Sequence, residues 1–175
     1  MNNKILLAPY AARLRNGSIN PKNLYRPEDL VSLLNRDGYE VTQVGVSSEA
    51  KVDGVRQFIA NLPWKKLRDL VAECATFVSC DSMLPHFVHV ECGQKPGVVV
   101  WAQSDPRIYA HPENINLLKG REYLRQFQFQ DYETSTYRSE AFVSNEKIVD
   151  AVHKLAPIIS PEIPVLMREP LRSLV

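Results

Sequence analysis

Three short runs of mostly apolar residues restrict the fold more than any other feature of this chain: KILLAP at 4–9, ATFVSC at 75–80 and GVVVW at 97–101. A strand with water on one face alternates apolar and polar side chains, so runs like these predict strands covered on both faces. Around them the period changes to that of a helix. Pro27 opens the first helix, with Glu28 and Asp29 beside it, then Leu30, Val31, Leu33 and Leu34 as a stripe that Asp37 and Gly38 close. A strand follows at 41–46 (VTQVGV). Ser47, Ser48 and Glu49 read as cap residues for a second helix carrying Val52, Val55, Phe58 and Ile59. Leu67, Leu70, Val71 and Cys74 define a third helix, and residues 81–92 form another helix-like run. Strand, helix, strand, helix, helix, strand, helix, strand is the order of βαβ units on a parallel sheet. The predicted class is α/β, with helices on both faces of the sheet.

Beyond Ala102 the pattern thins. Residues 104–114 read as a loop with two prolines, 115–118 as a short fifth strand, and 121–138 as a polar, aromatic stretch without period. Ser144 caps a helix to Leu155, with Glu146 behind it and Ile148, Val149, Val152 and Leu155 on one stripe. Residues 157–175 hold four prolines and predict an extended tail. The expected division is a domain at 1–156 and a proline-rich tail at 157–175. Charge narrows the function classes: 21 basic against 20 acidic residues leaves a net +1, too little to hold nucleic acid by bulk charge. Three cysteines without a CxxC spacing suit neither a disulfide framework nor a zinc site, and read as reduced thiols. No run approaches the ~18 apolar residues of a membrane helix, and the N-terminus lacks the h-region of a signal peptide, so the expected location is cytoplasmic.

In open parallel sheets ligands sit beyond the carboxyl ends of the strands. After the first strand come Arg13, Arg15 and Lys22, in a glycine-containing loop that leads into a helix. Such cations suit an anion, although a solvated basic loop has the same composition. Glu49, after the second strand, has the chemistry to accept hydrogen bonds from ribose hydroxyls, or simply to favour a helix N-terminus. After the third strand, Asp81, Ser82 and His86 surround one strand-to-helix turn, where either of the first two also suits an N-cap. His89 stands three residues beyond His86 and hints at a metal pair. With no third ligand in view, no metal is expected. The chain has no GxxxxGK[ST], GxGxxG or GxSxG pattern.

Together these loops form a pattern. Residues 5–111 resemble the C-terminal, nucleotide-sugar-binding half of GT-B glycosyltransferases, in particular the heptosyltransferase-like glycosyltransferase family 9. The resemblance rests on ILLAP, Lys22 ahead of Tyr25-Arg26-Pro27, Gly38-Tyr39-Glu40-Val41 and Gly45. It continues through the leucine-rich helix at 67–72, Asp81-Ser82-Met83-Leu84-Pro85-His86, and Pro96 up to Ser104-Asp105-Pro106. It implies a Rossmann-like single GT-B half-domain. Lys22 would contact the donor diphosphate with help from Arg13 and Arg15, Glu49 would hold the ribose, and Asp81, Ser82 and His86 would line the donor pocket. No metal or other cofactor is implied.

The departures shape the expectation further. Met83 replaces the motif glycine, the histidine falls one residue late, and Trp101-Ala102 stands where the family has a glycine-containing strand end. Nothing corresponds to the acceptor-binding half, which in the family supplies the catalytic base. The resemblance therefore implies a protein that binds a nucleotide-diphosphate sugar and transfers sugar only with a partner chain or a second copy. The alternative is a non-catalytic nucleotide- or protein-binding module derived from such a half. A third reading, an unrelated hydrolase working through Asp81 and His86, rests on those two side chains alone.

Overall fold

The computed structural model describes residues 2–129 and 135–158. Six strands form one all-parallel sheet: β1 (Lys4–Ala8), β2 (Glu40–Gly45), β3 (Gln57–Ala60), β4 (Thr76–Cys80), β5 (Val98–Trp101) and β6 (Ile115–Leu118). Their order across the sheet is β3-β2-β1-β4-β5-β6, so the winding reverses between β1 and β4. The Rossmann-like α/β fold expected from the apolar runs is the observed one, and residues 115–118 do form a strand.

The run in β1 shows why such strands need two covers. Ile5 and Leu7 face one side with Val41, Val78, Cys80, Val98 and Val100. That side is covered by α1 (Pro27–Arg36) and α5 (Asn145–Leu155), which also pack on each other. Leu6 and Ala8 face the other side with Val44, Phe77, Val99 and Trp101, under α2 (Trp64–Glu73) and α3 (Met83–Glu91). Ile5, Leu6 and Leu7 are all fully buried, because the pleat sends neighbouring side chains into opposite cores.

The expected helix over Val52, Val55, Phe58 and Ile59 does not form. Residues 57–60 are the edge strand β3, and a loop connects β2 to it. Val52 and Val55 are buried, so their spacing did report burial, although the backbone is not helical. Gln43 explains the choice. Its fully buried side chain accepts a hydrogen bond from the Val52 N–H at 2.8 Å and donates to the Ala50 carbonyl at 2.9 Å. One glutamine thus satisfies loop amide groups that a helix would otherwise satisfy. Gly54, at φ +83°, gives the turn that follows, and Asn35 donates to its carbonyl.

The stretch after β5 is more structured than its sequence suggests. Residues 106–109 make a short helix, α4 (Pro106–Tyr109), with Asp105 as its cap, accepting from the Arg107 N–H at 3.0 Å. The Arg121 guanidinium grips the Asp105 carboxylate with two bonds, at 3.1 and 2.7 Å, and holds that carboxyl below the usual carboxylate range. Gln128 accepts from the Asp105 N–H and donates to the Gln103 carbonyl, so residues 121–128 pack on α4. At the far end, Tyr39 donates to the Ala156 carbonyl at 2.7 Å, and His153 reaches Asp37 at 3.0 Å, which fixes α5 to the start of β2. The tail expected at 157–175 lies outside the described residues from 159 onward.

Candidate functional site

At the carboxyl end of the sheet, two adjoining cavities form a groove across β2, β1 and β4. One, of about 420 Å³, is lined by Arg13, Ile19, Leu24, Ala50 and Tyr137 among others. The other, of about 270 Å³, runs on past Gly45, Asn61, Ser82 and Met83. Tyr10, Ala11, Ala12, Val46 and Glu49 line both. A larger cavity of about 580 Å³ lies between α2 and α3. The groove is the stronger candidate, because it sits where the strand order reverses and loop amides and charged side chains converge.

The basic loop after β1 is built by asparagines. Asn23 accepts from the Ala11 N–H at 2.8 Å, Asn20 donates to the Ala12 carbonyl at 2.8 Å, and Asn20 also accepts from the Lys22 N–H. Gly17, at φ +82°, turns the chain, and Arg13 donates to its carbonyl at 3.1 Å. Arg13 lines the groove, and Arg15 is exposed on the same loop. Lys22 leaves the loop to meet Asp81, 2.9 Å away, in an ion pair that joins the end of β1 to the end of β4. Asp81 is 4% exposed and also accepts from the Ser104 hydroxyl at the end of β5.

Ser82 stands at the N-cap of α3 with extended backbone, but its side chain does not cap the helix. Its hydroxyl lies 3.3 Å from that of Ser79. Ser82 therefore does not satisfy the first amides of α3, those of Met83 and Leu84 (Pro85 has no N–H), and the positive end of the helix borders the groove that Ser82, Met83 and Leu84 line.

Glu49 is the unusual group. Its Oε2 atom is buried without a hydrogen-bond partner among the described residues, and burial pushes its carboxyl above the ordinary value. It lies over Gly45, where a Cβ would overlap the carboxylate. Glycine at 45 is thus what lets the carboxylate reach the groove.

His86 goes elsewhere. It lines the cavity between α2 and α3, and its Nδ1 lies 2.8 Å from Nε2 of His111. The structure therefore brings Arg13, Glu49 and Ser82 to one groove and pairs Lys22 with Asp81 beside it, while His86 joins a second cluster. That cluster contains His89, whose Nδ1 is 2.8 Å from Glu113, and His111, whose ring stacks on His89 at 3.9 Å. Burial and the two neighbouring imidazoles hold His111 below the usual histidine range. Sequence reasoning missed His111 and Glu113 because their loop is joined to α3 only through the fold. The available signal was topological: successive crossovers β4–β5 and β5–β6 fall on one face of a parallel sheet.

No family model matches the sequence, and no curated protein does. Solved structures do resemble the fold. ADP-heptose lipopolysaccharide heptosyltransferase II of Escherichia coli superposes with a TM-score of 0.61 at 15% identity, over 88% of this chain and 46% of that one. The dodecameric iron-containing heptosyltransferase TibC, solved in complex with ADP-D-β-D-heptose, gives 0.65 at 13%, over 89% and 45%. A family 9 glycosyl transferase from Veillonella parvula gives 0.59 at 14%, over 87% and 46%. At these identities the likeness is one of fold, and this chain spans less than half the length of each. The resemblance seen in the sequence thus holds for the architecture: a glycosyltransferase-like, Rossmann-like α/β unit. Among the described residues, no helix is long and apolar enough to cross a membrane.

Proposed function

We propose that the groove binds a nucleotide-diphosphate sugar and that the chain is the donor-binding part of a glycosyltransferase. The observation that carries this reading is the unpartnered Glu49 Oε2, buried in a groove whose other end is the uncapped start of α3. A buried carboxylate oxygen without a donor is costly, and vicinal ribose hydroxyls would supply two. In this reading the diphosphate lies against the first amides of α3, beside the Lys22–Asp81 pair, and Arg13 and Arg15, on the loop after β1, supply the net positive charge. Lys22 neutralises Asp81, so the turn after β4 meets an anion without net negative charge. Ser82 donates to a phosphate oxygen, and the base occupies the apolar end beside Ile19, Leu24 and Tyr137. His86 lines the adjoining cavity and pairs with His111, outside the groove, so it has no part in this reading.

Developing charge on a diphosphate leaving group is stabilised by donors held in place before reaction, which these elements provide. The acceptor and the catalytic base come, in this proposal, from a partner chain or a second copy. Likeness to heptosyltransferases solved with ADP-heptose makes ADP and its sugar conjugates the first ligands to try.

The test is a thermal-shift screen of the purified chain against ADP, UDP, GDP, CMP and their sugar conjugates. Binding to the native state raises the melting temperature by mass action. A shift confined to one nucleotide family is the expected result, and no shift with any at millimolar concentration would overturn the reading. Binding without turnover in the presence of every acceptor partner tried would reassign the chain as a non-catalytic nucleotide-binding module.

A further inference from the structure

We infer that His89, His111 and Glu113 form a binding site for a borderline divalent transition-metal ion, with His86 as the outer partner that orients His111. One ligand atom from each of the three lies within 4.8 Å of the others, and all three side chains are half-buried rather than solvated. Three of the chain's four histidines meet at this one place, so the cluster is not a by-product of histidine abundance.

The distances suit ligation. Donors bound tetrahedrally at about 2.0–2.1 Å stand roughly 3.3 Å apart. His89 Nδ1 and Glu113 Oε1 are at 2.8 Å, so an ion entering between them has to open that contact by only about half an ångström. The rings of His89 and His111 lie 11° from parallel with centroids 3.9 Å apart, and closing on an ion requires them to rotate toward Glu113. An imidazole has two ring nitrogens, so His111 can ligate with one and keep its bond to His86 with the other. That arrangement, in which a second group fixes the tautomer and orientation of a ligating histidine, is the usual one around protein-bound metals.

The donor set selects the ion. Two imidazoles and one carboxylate, with no thiolate, suit zinc and its neighbours and do not suit magnesium or calcium, which take oxygen cages. Three protein ligands leave a fourth position for water or another group. The ion would add a coordinate link between α3 and the segment between α4 and β6, which the His86–His111 and His89–Glu113 contacts already hold together.

The experiment uses the full chain stripped with chelator, then dialysed against zinc and, separately, titrated with cobalt(II). One zinc per chain is expected, together with the visible absorption of tetrahedral cobalt and no thiolate charge-transfer band. His111→Gln and Glu113→Gln should each weaken zinc binding by more than the roughly 10–100-fold typical of losing an outer partner, and His86→Gln should fall within that range. His153→Gln, outside the cluster, should leave zinc binding unchanged. Substoichiometric zinc, or an affinity unaffected by both loop variants, would overturn the site. So would thiolate charge transfer, which would place the metal on the cysteines. The cobalt spectrum of the unmodified chain decides the case even if a variant fails to fold.

Discussion

Glu49 reads in the sequence either as a ribose acceptor or as a carboxylate at a helix start, and Lys22 either as an anion ligand or as a solvated loop lysine. The structure forms no helix after Glu49, puts its carboxylate over Gly45 in the groove, and sets Lys22 on a buried aspartate. Two consequences belong to these residues. Lys22→Met leaves Asp81 buried without its cation. It should cost roughly 2–3 kcal/mol in chemical denaturation, below the about 3–5 kcal/mol of a fully buried pair. The discount arises because the Lys22 side chain is 22% exposed. A change below 0.5 kcal/mol would show that Ser104 alone satisfies Asp81, since ordinary surface substitutions fall within about that range. Gly45→Ala should push the Glu49 carboxylate out of the groove and weaken nucleotide binding by roughly 10-fold or more, the scale of a lost hydrogen bond to a charged group. Its melting temperature should move little, because the clashing atoms end a flexible side chain. Isothermal titration on the variant checks the first effect and calorimetry the second.

At the scale of elements, the continuous apolar runs and the helix stripes carried most of the information. β1, β4 and β5 were legible because a strand covered on both faces leaves no other pattern, and α1 and α5 because their stripes, Pro27 and Ser144 agree. The connection from β2 to β3 was not legible. Val52 and Val55 at helical spacing are buried under α1, but the backbone there is satisfied by Gln43, a residue inside the preceding strand. Such a side-chain bond leaves no periodic trace. The start of β5 offers a sharper check on packing. Gly97 lies so close to the Phe77 ring that a Cβ would overlap it, and that ring is 1% exposed in the core under α2 and α3. Gly97→Ala should therefore cost about 1–3 kcal/mol by overpacking, read from urea unfolding. An unchanged midpoint would show that the ring moves aside freely.

For the whole molecule, the parallel sheet and its reversal between β1 and β4 explain why charged loops from distant parts of the sequence meet. Arg13, Glu49 and Ser82 reach one groove because β1, β2 and β4 are neighbours ending on the same side. The groove was thus partly legible, since loops after parallel strands share an edge. The His89, His111 and Glu113 cluster was not, since it needs the β5–β6 crossover to fold back on α3. The central claim is that Glu49 holds the ribose of a nucleotide in this groove. The most direct measurement is a calorimetric cycle comparing ADP with its 2′,3′-dideoxy analogue on the wild-type chain and on Glu49→Ala. The account predicts that removing the hydroxyls weakens binding to the wild type by roughly 10-fold or more and leaves Glu49→Ala indifferent to the change. An equal loss on both proteins, or no ADP binding to either, would contradict it.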